Sequence, residues 1–311
     1  MKIVQIGTGG WGKNHCRVLS ELGVLSAVCD KDSGLAEEFG KKYSVNFYNS
    51  LETLLEKEEF DAAFICTPTL THADIATKLI ENKKHVFVEK PLTYLSEDGQ
   101  KLVDMANKNN VVLTCGYIER FNPAVSTVKD FLTSKKYGDL IRLEFYREHR
   151  MPQHIKDVGI IYDTAVHDID TAMWLFGKTP EVVFAIAGKI NHEHEDFATI
   201  MLGFKDNKTA TISSNWITPT RVRNFNAVCT DGRIFSDFIT QEIRIETDHG
   251  TENPKNEKTE PLLWEIKNFL GAIETKNDIK VKAEQAVNVT KIAEAALLSS
   301  QKGIPIYLDI K

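Results

Sequence analysis

The chain has 311 residues, enough for about two domains of roughly 100–200 residues each. Apolar residues make up 42% of it and charged residues 26%, which is close to the globular average and excludes a wholly disordered chain. Lys and Arg total 38 against 44 Asp and Glu, for a net charge of −6. This balance argues against a nucleic acid or an anionic membrane as the main partner.

The cysteine pattern predicts a reducing compartment. The five cysteines contain no C-x-x-C pair, and three of them lie in apolar runs; they are Cys16, Cys29, Cys66, Cys115 and Cys229. An odd number of buried thiols does not suit a disulfide framework. The start of the chain has no signal-peptide features, and no apolar stretch approaches the ~20 residues of a membrane helix. We therefore expect a soluble, cytoplasmic protein.

The first 118 residues alternate short apolar runs with amphipathic segments. The runs, rich in Val and Ile, occupy 2–7, 24–30, 61–66, 85–90 and 111–117, and the helical patterns occupy 11–22, 33–42, 50–57, 71–82 and 96–109. Ser50 and Ser96 are candidate helix starts. This alternation predicts βαβ units with a buried parallel sheet.

The pattern changes after about residue 120. A helix over 123–133, a strand over 139–149 and a helix near 163–176 precede six segments of alternating polarity between 182 and 247. Their period of two predicts an open, mostly antiparallel sheet with one covered face. The polar stretch 250–260 is expected to be a loop, followed by helices over 261–275 and 283–302 and an apolar tail after Gly303.

A glycine-rich motif follows the first predicted strand. Gly7, Gly9 and Gly12 match G-x-G-x-x-G, with Gly10 and Trp11 between them. In such a loop the glycines permit a tight turn, close approach of a pyrophosphate and close helix–strand packing. Asp30 ends the second strand, where a carboxylate binds ribose hydroxyls and repels a 2′-phosphate, so NAD is favoured over NADP. Lys31 beside it weakens that selectivity, and the alternative is that the glycines only form a turn.

Two further strand ends carry polar residues at the carboxyl edge of the predicted sheet. Thr67, Pro68 and Thr69 follow Cys66 and could face the cofactor, although Thr69 or Thr71 could simply cap the next helix. Lys90 ends the strand that carries Glu89. There it could hydrogen-bond a substrate hydroxyl and stabilise negative charge on its oxygen; the alternative is a solvated lysine.

A carboxylate and an imidazole lie four residues apart in the second half of the chain. Asp163 and His167 share one helix face, with Asp170 roughly on it. A histidine can take a hydroxyl proton near neutral pH, and a carboxylate can orient it. The alternatives are a helix cap with a core histidine, or a metal site with Asp170. His192 and His194 are expected to lie in a solvated turn, and we predict no metal.

Together these motifs resemble the Gfo/Idh/MocA oxidoreductases. The resemblance rests on the glycine motif, Thr67-Pro68, Glu89-Lys90-Pro91, the segment 116–125 and Asp163-x-x-x-His167 followed by Asp168 and Asp170, in this order. It implies an α/β protein with an N-terminal Rossmann domain over 1–119 that binds NAD(P). It also implies a C-terminal α+β domain over 120–311, with a large open sheet that often forms an oligomer interface. We leave open that the C-terminal helix packs back on the first domain.

The resemblance also implies the site residues. Lys90, Asp163 and His167 match the catalytic positions: His167 takes the hydroxyl proton, Lys90 polarises the same oxygen and Asp163 positions the pair. The expected cofactor contacts are Gly7, Gly9, Gly10, Trp11, Gly12, Asp30, Thr67, Pro68, Thr69, His72, Glu89 and Lys90. Arg120 and Asn122, in an R-x-N-P-like segment, are expected to border the substrate pocket together with the catalytic residues.

Within the family, the stretch 147–170 is most similar to the UDP-N-acetylglucosamine 3-dehydrogenase branch. Arg147, Arg150 and Lys156 precede the catalytic helix and could neutralise a substrate diphosphate, although a solvated loop is equally open. Related sequences more often carry glycine and proline around 150–152, so the substrate is less firmly implied than the reaction type.

Three alternatives remain open at this point. The protein could oxidise a free sugar or an inositol, its nicotinamide could stay bound between cycles, or it could bind NAD as a catalytically silent sensor. The uncovered sheet face predicts a homodimer or homotetramer.

Overall fold

A computed structural model describes residues 1–152, 155–275 and 278–309. The chain divides into two units, one made of 1–117 and 262–287 and the other of 118–261 and 288–311. The prediction of two continuous domains divided at 119/120 differs from this mainly in the return of 262–287 to the first unit. Gln153 and His154, in the predicted segment 147–170, and Ile310, in the apolar tail, lie outside the described residues.

The helices agree closely with the periodic segments of the sequence. Their bounds are α1 Gly12–Glu21, α2 Ser33–Tyr43, α3 Leu51–Lys57, α4 His72–Glu81, α5 Ser96–Asn109, α6 Pro123–Thr133, α7 Val166–Phe176, α8 Pro261–Thr275 and α9 Ala283–Lys302. Ser50 caps α3, accepting a hydrogen bond from the Thr53 amide at 3.2 Å. Ser96 is the first residue of α5 rather than its cap. No helix in the described ranges is long and apolar enough to cross a membrane.

The first unit contains a six-stranded sheet in which every pairing is parallel. Its strands are β1 Ile3–Ile6, β2 Leu25–Cys29, β3 Asn46–Tyr48, β4 Ala62–Ile65, β5 His85–Glu89 and β6 Leu113–Gly116. They run in the order β3-β2-β1-β4-β5-β6. The chain adds strands outward in one direction from β1 to β3 and in the other direction from β4 to β6, so the direction changes between β1 and β4. Sheets of this order bind ligands at the carboxyl edge beside that reversal. The three-residue edge strand β3 is too short and exposed to show as an apolar run.

Residues 262–287 join the first unit through aromatic and polar contacts. The Phe269 ring packs edge-on against Phe64 at 5.2 Å and against Phe87 at 5.8 Å. The Thr114 hydroxyl donates to the Val281 carbonyl at 2.7 Å. These contacts bury the apolar face of α8 on the parallel sheet, an effect of distant segments that the local pattern could not show.

The second unit contains a nine-stranded sheet, which confirms the predicted architecture. Its strands are β7 Leu140–Glu148, β8 Val182–Gly188, β9 Phe197–Phe204, β10 Lys208–Asn215, β11 Val222–Cys229, β12 Gly232–Asp237, β13 Ile243–Thr247, β14 Gly250–Glu252 and β15 Ile306–Tyr307. The order is β14-β13-β12-β11-β7-β10-β9-β8-β15, and only the β7–β10 pair is parallel. Two expectations were wrong in detail, because 250–252 and part of the apolar tail form the edge strands.

Candidate active site

The three motif glycines between β1 and α1, Gly7, Gly9 and Gly12, have different surroundings. Gly7 has φ +82°, and a Cβ there would collide with the Cys66 carbonyl. A Cβ on Gly12 would collide with the carbonyl of Gly7. Among the described residues, a Cβ on Gly9 would meet only a Leu35 methyl, at 4.0 Å. The fold itself therefore requires Gly7 and Gly12, whereas the space at Gly9 suits the close approach of a ligand such as a pyrophosphate.

Asp30 is held at the end of β2 by donors from the glycine loop. Its Oδ2 accepts from the amide of Thr8 at 2.7 Å and from its hydroxyl at 3.0 Å. Its Oδ1 accepts from the Asp32 amide at 3.0 Å. A carboxylate has about four acceptor positions, so a fixed position is left for a ribose hydroxyl. The neighbouring Lys31 is exposed.

The turn after β4 is tied to the turn after β5 by a histidine. The ring nitrogens of His72 lie 2.8 Å from the Pro91 carbonyl and 2.9 Å from the Thr67 carbonyl. The Thr71 hydroxyl donates to the Pro68 carbonyl at 2.7 Å and lies 2.8 Å from the Thr67 hydroxyl, and it makes no cap hydrogen bond to α4. His72 thus lies inside the protein and fixes the two turns, and the cofactor contact expected for it stays a prediction. Pro68 is exposed and Thr69 is buried in a short 3-10 turn.

Lys90 is positioned by the buried Glu89 side chain directly before it, which is hydrogen-bonded to His15. Glu89 Oε1 lies 2.8 Å from Nε2 of His15, a residue of α1, and Oε2 accepts from the Lys90 amide at 3.1 Å. Glu89 is therefore used within the protein rather than presented outward, and it links the helix of the glycine loop to the end of β5. His15 was not singled out from the sequence, although it follows the glycine motif by one helical turn.

Among the described residues, His15, Cys66 and Glu89 bring metal-ligand atoms within 4.8 Å of one another. The histidine and glutamate already share a hydrogen bond. Burial, and then the Glu89 charge, raise the pKa of the Cys66 thiol well above its ordinary value. A thiol must lose its proton to bind a metal, so this arrangement is a buried pair beside a neutral thiol. The expectation of no metal stays a prediction.

Asp163 and His167 lie at the start of the helical segment in the second unit. Residues Ile161–Ala165 form a π-helical turn that leads into α7, so the predicted regular α-helical spacing was wrong here. Both side chains are partly exposed. Single π turns occur often at functional sites because they displace a side chain from the regular helix. Glu195 supports this turn by accepting from the Ile161 amide at 3.2 Å.

Two buried ion pairs anchor α7 directly after His167. Arg147 binds Asp168 through Nη2 at 2.8 Å and Glu119 through Nη1 at 3.1 Å. Arg120 forms a two-bond contact with Asp170, at 2.6 and 2.9 Å. All five side chains are buried. The Asp-x-Asp after His167 therefore fixes the helix, and Asp170 is not available for a metal site with Asp163.

Three residues expected to bind the substrate have partners within the second unit, and their substrate contacts stay predictions. Arg120 and Arg147 are each about 1% exposed and are committed to carboxylates. Asn122 caps α6 and donates to the Phe238 carbonyl at 2.9 Å. Of the predicted diphosphate-binding residues, only Arg150 and Lys156 are exposed. His192 and His194 lie in a turn that Asp196 stabilises. Its Oδ2 accepts hydrogen bonds from the backbone amides of Ile190, Asn191 and His192.

Comparisons with known proteins fit this geometry. The family model for the oxidoreductase family with an NAD-binding Rossmann fold matches residues 1–117, and that for the GFO/IDH/MocA C-terminal domain matches 125–235. The protein is thus an NAD-binding oxidoreductase of the class that acts on CH–OH groups. The chain belongs to the Gfo/Idh/MocA family.

Individual relatives differ in their substrates. A UDP-N-acetylglucosamine 3-dehydrogenase from Acidithiobacillus ferrooxidans is 27% identical, with 88% of each chain covered. A solved structure of that enzyme has a TM-score of 0.89 and 25% identity, covering 97% of this chain and 98% of the other. A myo-inositol 2-dehydrogenase from Thermotoga maritima is 24% identical over 99% of each chain.

Proposed function

We propose that the protein oxidises a secondary hydroxyl of a sugar. In this proposal His167 takes the hydroxyl proton, Lys90 donates a hydrogen bond to the same oxygen, and Asp163 supports the positive charge that develops on the imidazole. NAD, when bound, supplies the hydride acceptor. Gly9 and Asp30 provide space for its pyrophosphate and an acceptor for its adenosine ribose.

The main support is the way the protein fixes the segment that carries Asp163 and His167. A general base must be held within hydrogen-bond reach of the proton that it removes. The two buried pairs made by Asp168 and Asp170 immobilise α7 from its first turn, while both candidate catalytic side chains keep partial exposure. A protein that only bound NAD would not need such anchoring beside an imidazole.

We further propose that the substrate is a UDP-linked amino sugar, oxidised at its 3-hydroxyl. The support is the similarity to the UDP-N-acetylglucosamine 3-dehydrogenase over 88% of the chain. The competing substrate class is a free inositol, because inositol dehydrogenases match at nearly the same identity and coverage.

The test is NADH formation by the purified protein with UDP-N-acetylglucosamine, N-acetylglucosamine, glucose, myo-inositol or scyllo-inositol. Reduction with only the UDP-sugar supports the full proposal. Reduction with only an inositol retains the reaction type and replaces the substrate. No reduction with any of them, together with measured NAD binding, favours the sensor.

The role of Lys90 is tested by Lys90→Met, which keeps the length of the side chain and removes its charge. We expect NAD affinity to persist and kcat to fall by about 10²- to 10⁴-fold, the range for losing a positioned acid–base or electrostatic group. Lys101→Met, at an exposed pair on α5, is the matched control and should retain full turnover. Turnover by the Lys90 variant within about threefold of the original protein would remove Lys90 from the chemistry, since losing such a group costs far more.

We also propose a homo-oligomer that uses the outer face of the nine-stranded sheet. Tyr146, Ile186 and Met201 are 40%, 60% and 48% exposed there, and an apolar face of this kind is stabilised by a second copy. Light scattering at micromolar concentration should give a dimer or tetramer mass. A monomer mass would contradict this.

A further inference from the structure

We propose that Arg223, assisted by Arg221, binds the diphosphate of a nucleotide-linked substrate. This inference rests on the proposed function and assigns the anion-binding role to residues other than the three expected from the sequence. Two arginines, Arg147 and Arg223, occupy opposed positions on neighbouring strands.

Arg147 on β7 pairs in register with Arg223 on β11. Directly opposed residues have Cβ atoms about 4.5–5.5 Å apart and point to the same face of the sheet. That face is the covered one, because the next pair along it, Phe145 and Phe225, is buried and stacked at 5.4 Å. The two arginine side chains therefore start from neighbouring backbone positions on the covered face of the sheet.

The nearby carboxylates direct their hydrogen bonds to only one of these two arginines. Asp168 and Glu119 both bind Arg147, whose guanidinium also stacks on the Phe238 ring at 4.8 Å. In the part of the chain that the structure describes, Arg223 has no ion pair, and its buried Nε has no hydrogen-bond partner. A buried donor left in this state is costly unless a ligand accepts its hydrogen bond.

The electrostatic environment of Arg223 agrees with an anion site. Burial, followed by the charges of Arg147 and Arg221, lowers the pKa of Arg223 to about 10, although Glu119 and Asp168 partly oppose this. Arg223 remains a cation near neutral pH, but the folded protein disfavours its charge. A bound anion would reverse that balance.

Arg223 lies on the side of the unit that carries His167, because Arg147, its partner in strand register, binds Asp168, the residue after His167. The pKa of His149, the residue after β7, is lowered mainly by burial and further by Arg223 and Arg221, and it is raised by Asp163. The His149 ring donates from Nδ1 to the Arg150 carbonyl at 2.7 Å.

The two guanidinium groups of Arg221 and Arg223 indicate the class of ligand. Guanidinium groups bind phosphate oxygens through paired N–H donors, and two of them match the two negative charges of a diphosphate diester. A neutral sugar or inositol would leave both cations unmatched, and a sugar carboxylate would match one. The site therefore favours a nucleotide diphosphate-linked sugar.

The test measures binding of UDP, which has no sugar to oxidise, by titration calorimetry at saturating NAD. Saturating NAD keeps UDP out of the cofactor site. We expect Arg223→Met to weaken UDP binding by about 10- to 100-fold, the effect of losing a charge-assisted hydrogen bond. Arg223→Lys, which keeps the charge but not the two-donor geometry, should recover only part of the affinity. The matched control is Arg244→Met, at an exposed arginine of β13 paired with Glu246, and it should bind UDP normally.

Thermal unfolding separates ligand binding from a structural role. Without ligand, Arg223→Met should unfold at the same temperature as the original protein or higher, because no group in the described chain bonds to this guanidinium. The increase in Tm caused by UDP should be lost. A lower Tm without ligand, with UDP affinity unchanged, would overturn the inference.

Turnover measurements distinguish a failure of the anion site from a failure of the proposed function. If the original protein oxidises the UDP-sugar and Arg223→Met raises KM while kcat is kept within about threefold, as expected for an interaction made equally in the ground and transition states, both proposals are supported. If KM does not change, the anion site is wrong and the proposed function stands. If the original protein oxidises only neutral sugars and does not bind UDP, both proposals are wrong.

Discussion

Replacing Arg147 by methionine tests whether the ion pair to α7 is structural. The change removes four hydrogen bonds, three to Asp168 and one to Glu119. It leaves two buried carboxylates without their cation. Breaking a buried, hydrogen-bonded ion pair from one side costs about 3–5 kcal/mol, and we expect the free energy of unfolding to fall by that amount near neutral pH.

The pH dependence of this loss has a defined sign. Burial raises the pKa of Asp168 above its ordinary value of 3.8, and Arg147 opposes that increase. Without Arg147 the pKa of Asp168 in the folded protein rises further, so the folded state binds the proton more tightly than the unfolded state. The penalty is absent below the unfolded pKa, where both states are protonated, and grows as the pH rises through the folded pKa. The stability deficit of Arg147→Met should therefore be smaller at about pH 5 than at about pH 8.

Urea unfolding followed by circular dichroism at several pH values measures this deficit. The matched control is Arg142→Met, on the same strand but in an exposed pair with Glu144, which should cost less than about 1 kcal/mol. The double variant of Arg147→Met with Asp168→Asn should recover part of the loss, because one buried charge is then removed. A loss for Arg147→Met that is no larger than that of the control would refute the structural role.

Three further variants separate the fold from the cofactor. Gly12→Ala should lower the free energy of unfolding by about 1–3 kcal/mol in urea titrations, because its Cβ would meet the backbone of Gly7; unchanged stability would contradict this. Gly9→Ala should leave the unfolding midpoint unchanged and weaken NAD binding at least about tenfold in calorimetry, since its Cβ enters open space meant for the pyrophosphate; normal NAD affinity would count against the loop. Asp30→Asn should lower the kcat/KM ratio of NAD over NADP by about tenfold or more, as expected when a charged acceptor is lost, and an unchanged ratio would assign the selectivity elsewhere.

The fold could be predicted because its main elements are locally encoded. Continuous apolar runs identify strands that are buried on both faces, and the period of two identifies strands of a sheet with one covered face. The π turn at Ile161–Ala165 and the edge strands β3, β14 and β15 were missed. The strands are two or three residues long, so they carry too few residues for a period. The join of 262–287 to the first unit depends on partners more than a hundred residues away.

The candidate site could be predicted only in part, because the type of a residue does not determine whether its side chain faces a ligand or a partner within the protein. The glycine motif and Asp30 have a fixed relation to their strands, and the structure places them as expected. Glu89 ends β5 and His72 begins α4, yet their polar atoms are bound inside the protein. A single sequence does not show that Glu89 binds His15 or that His72 binds the Pro91 carbonyl.

For Arg147 and Arg223, the sequence pattern predicts the face of the sheet but not the partners of each side chain. Arg147 is two residues from Phe145, and Arg223 is two residues from Phe225, so the period of two places both arginines on the covered face. That reasoning would already exclude Arg147 as a freely exposed phosphate ligand. It does not distinguish the two, because the difference comes from Asp168 and Glu119, which distant segments bring to Arg147 alone. An arginine whose partners lie within the fold stabilises the protein. An arginine in the matching position without such partners remains able to bind an anion, and this is the property that the UDP titration measures.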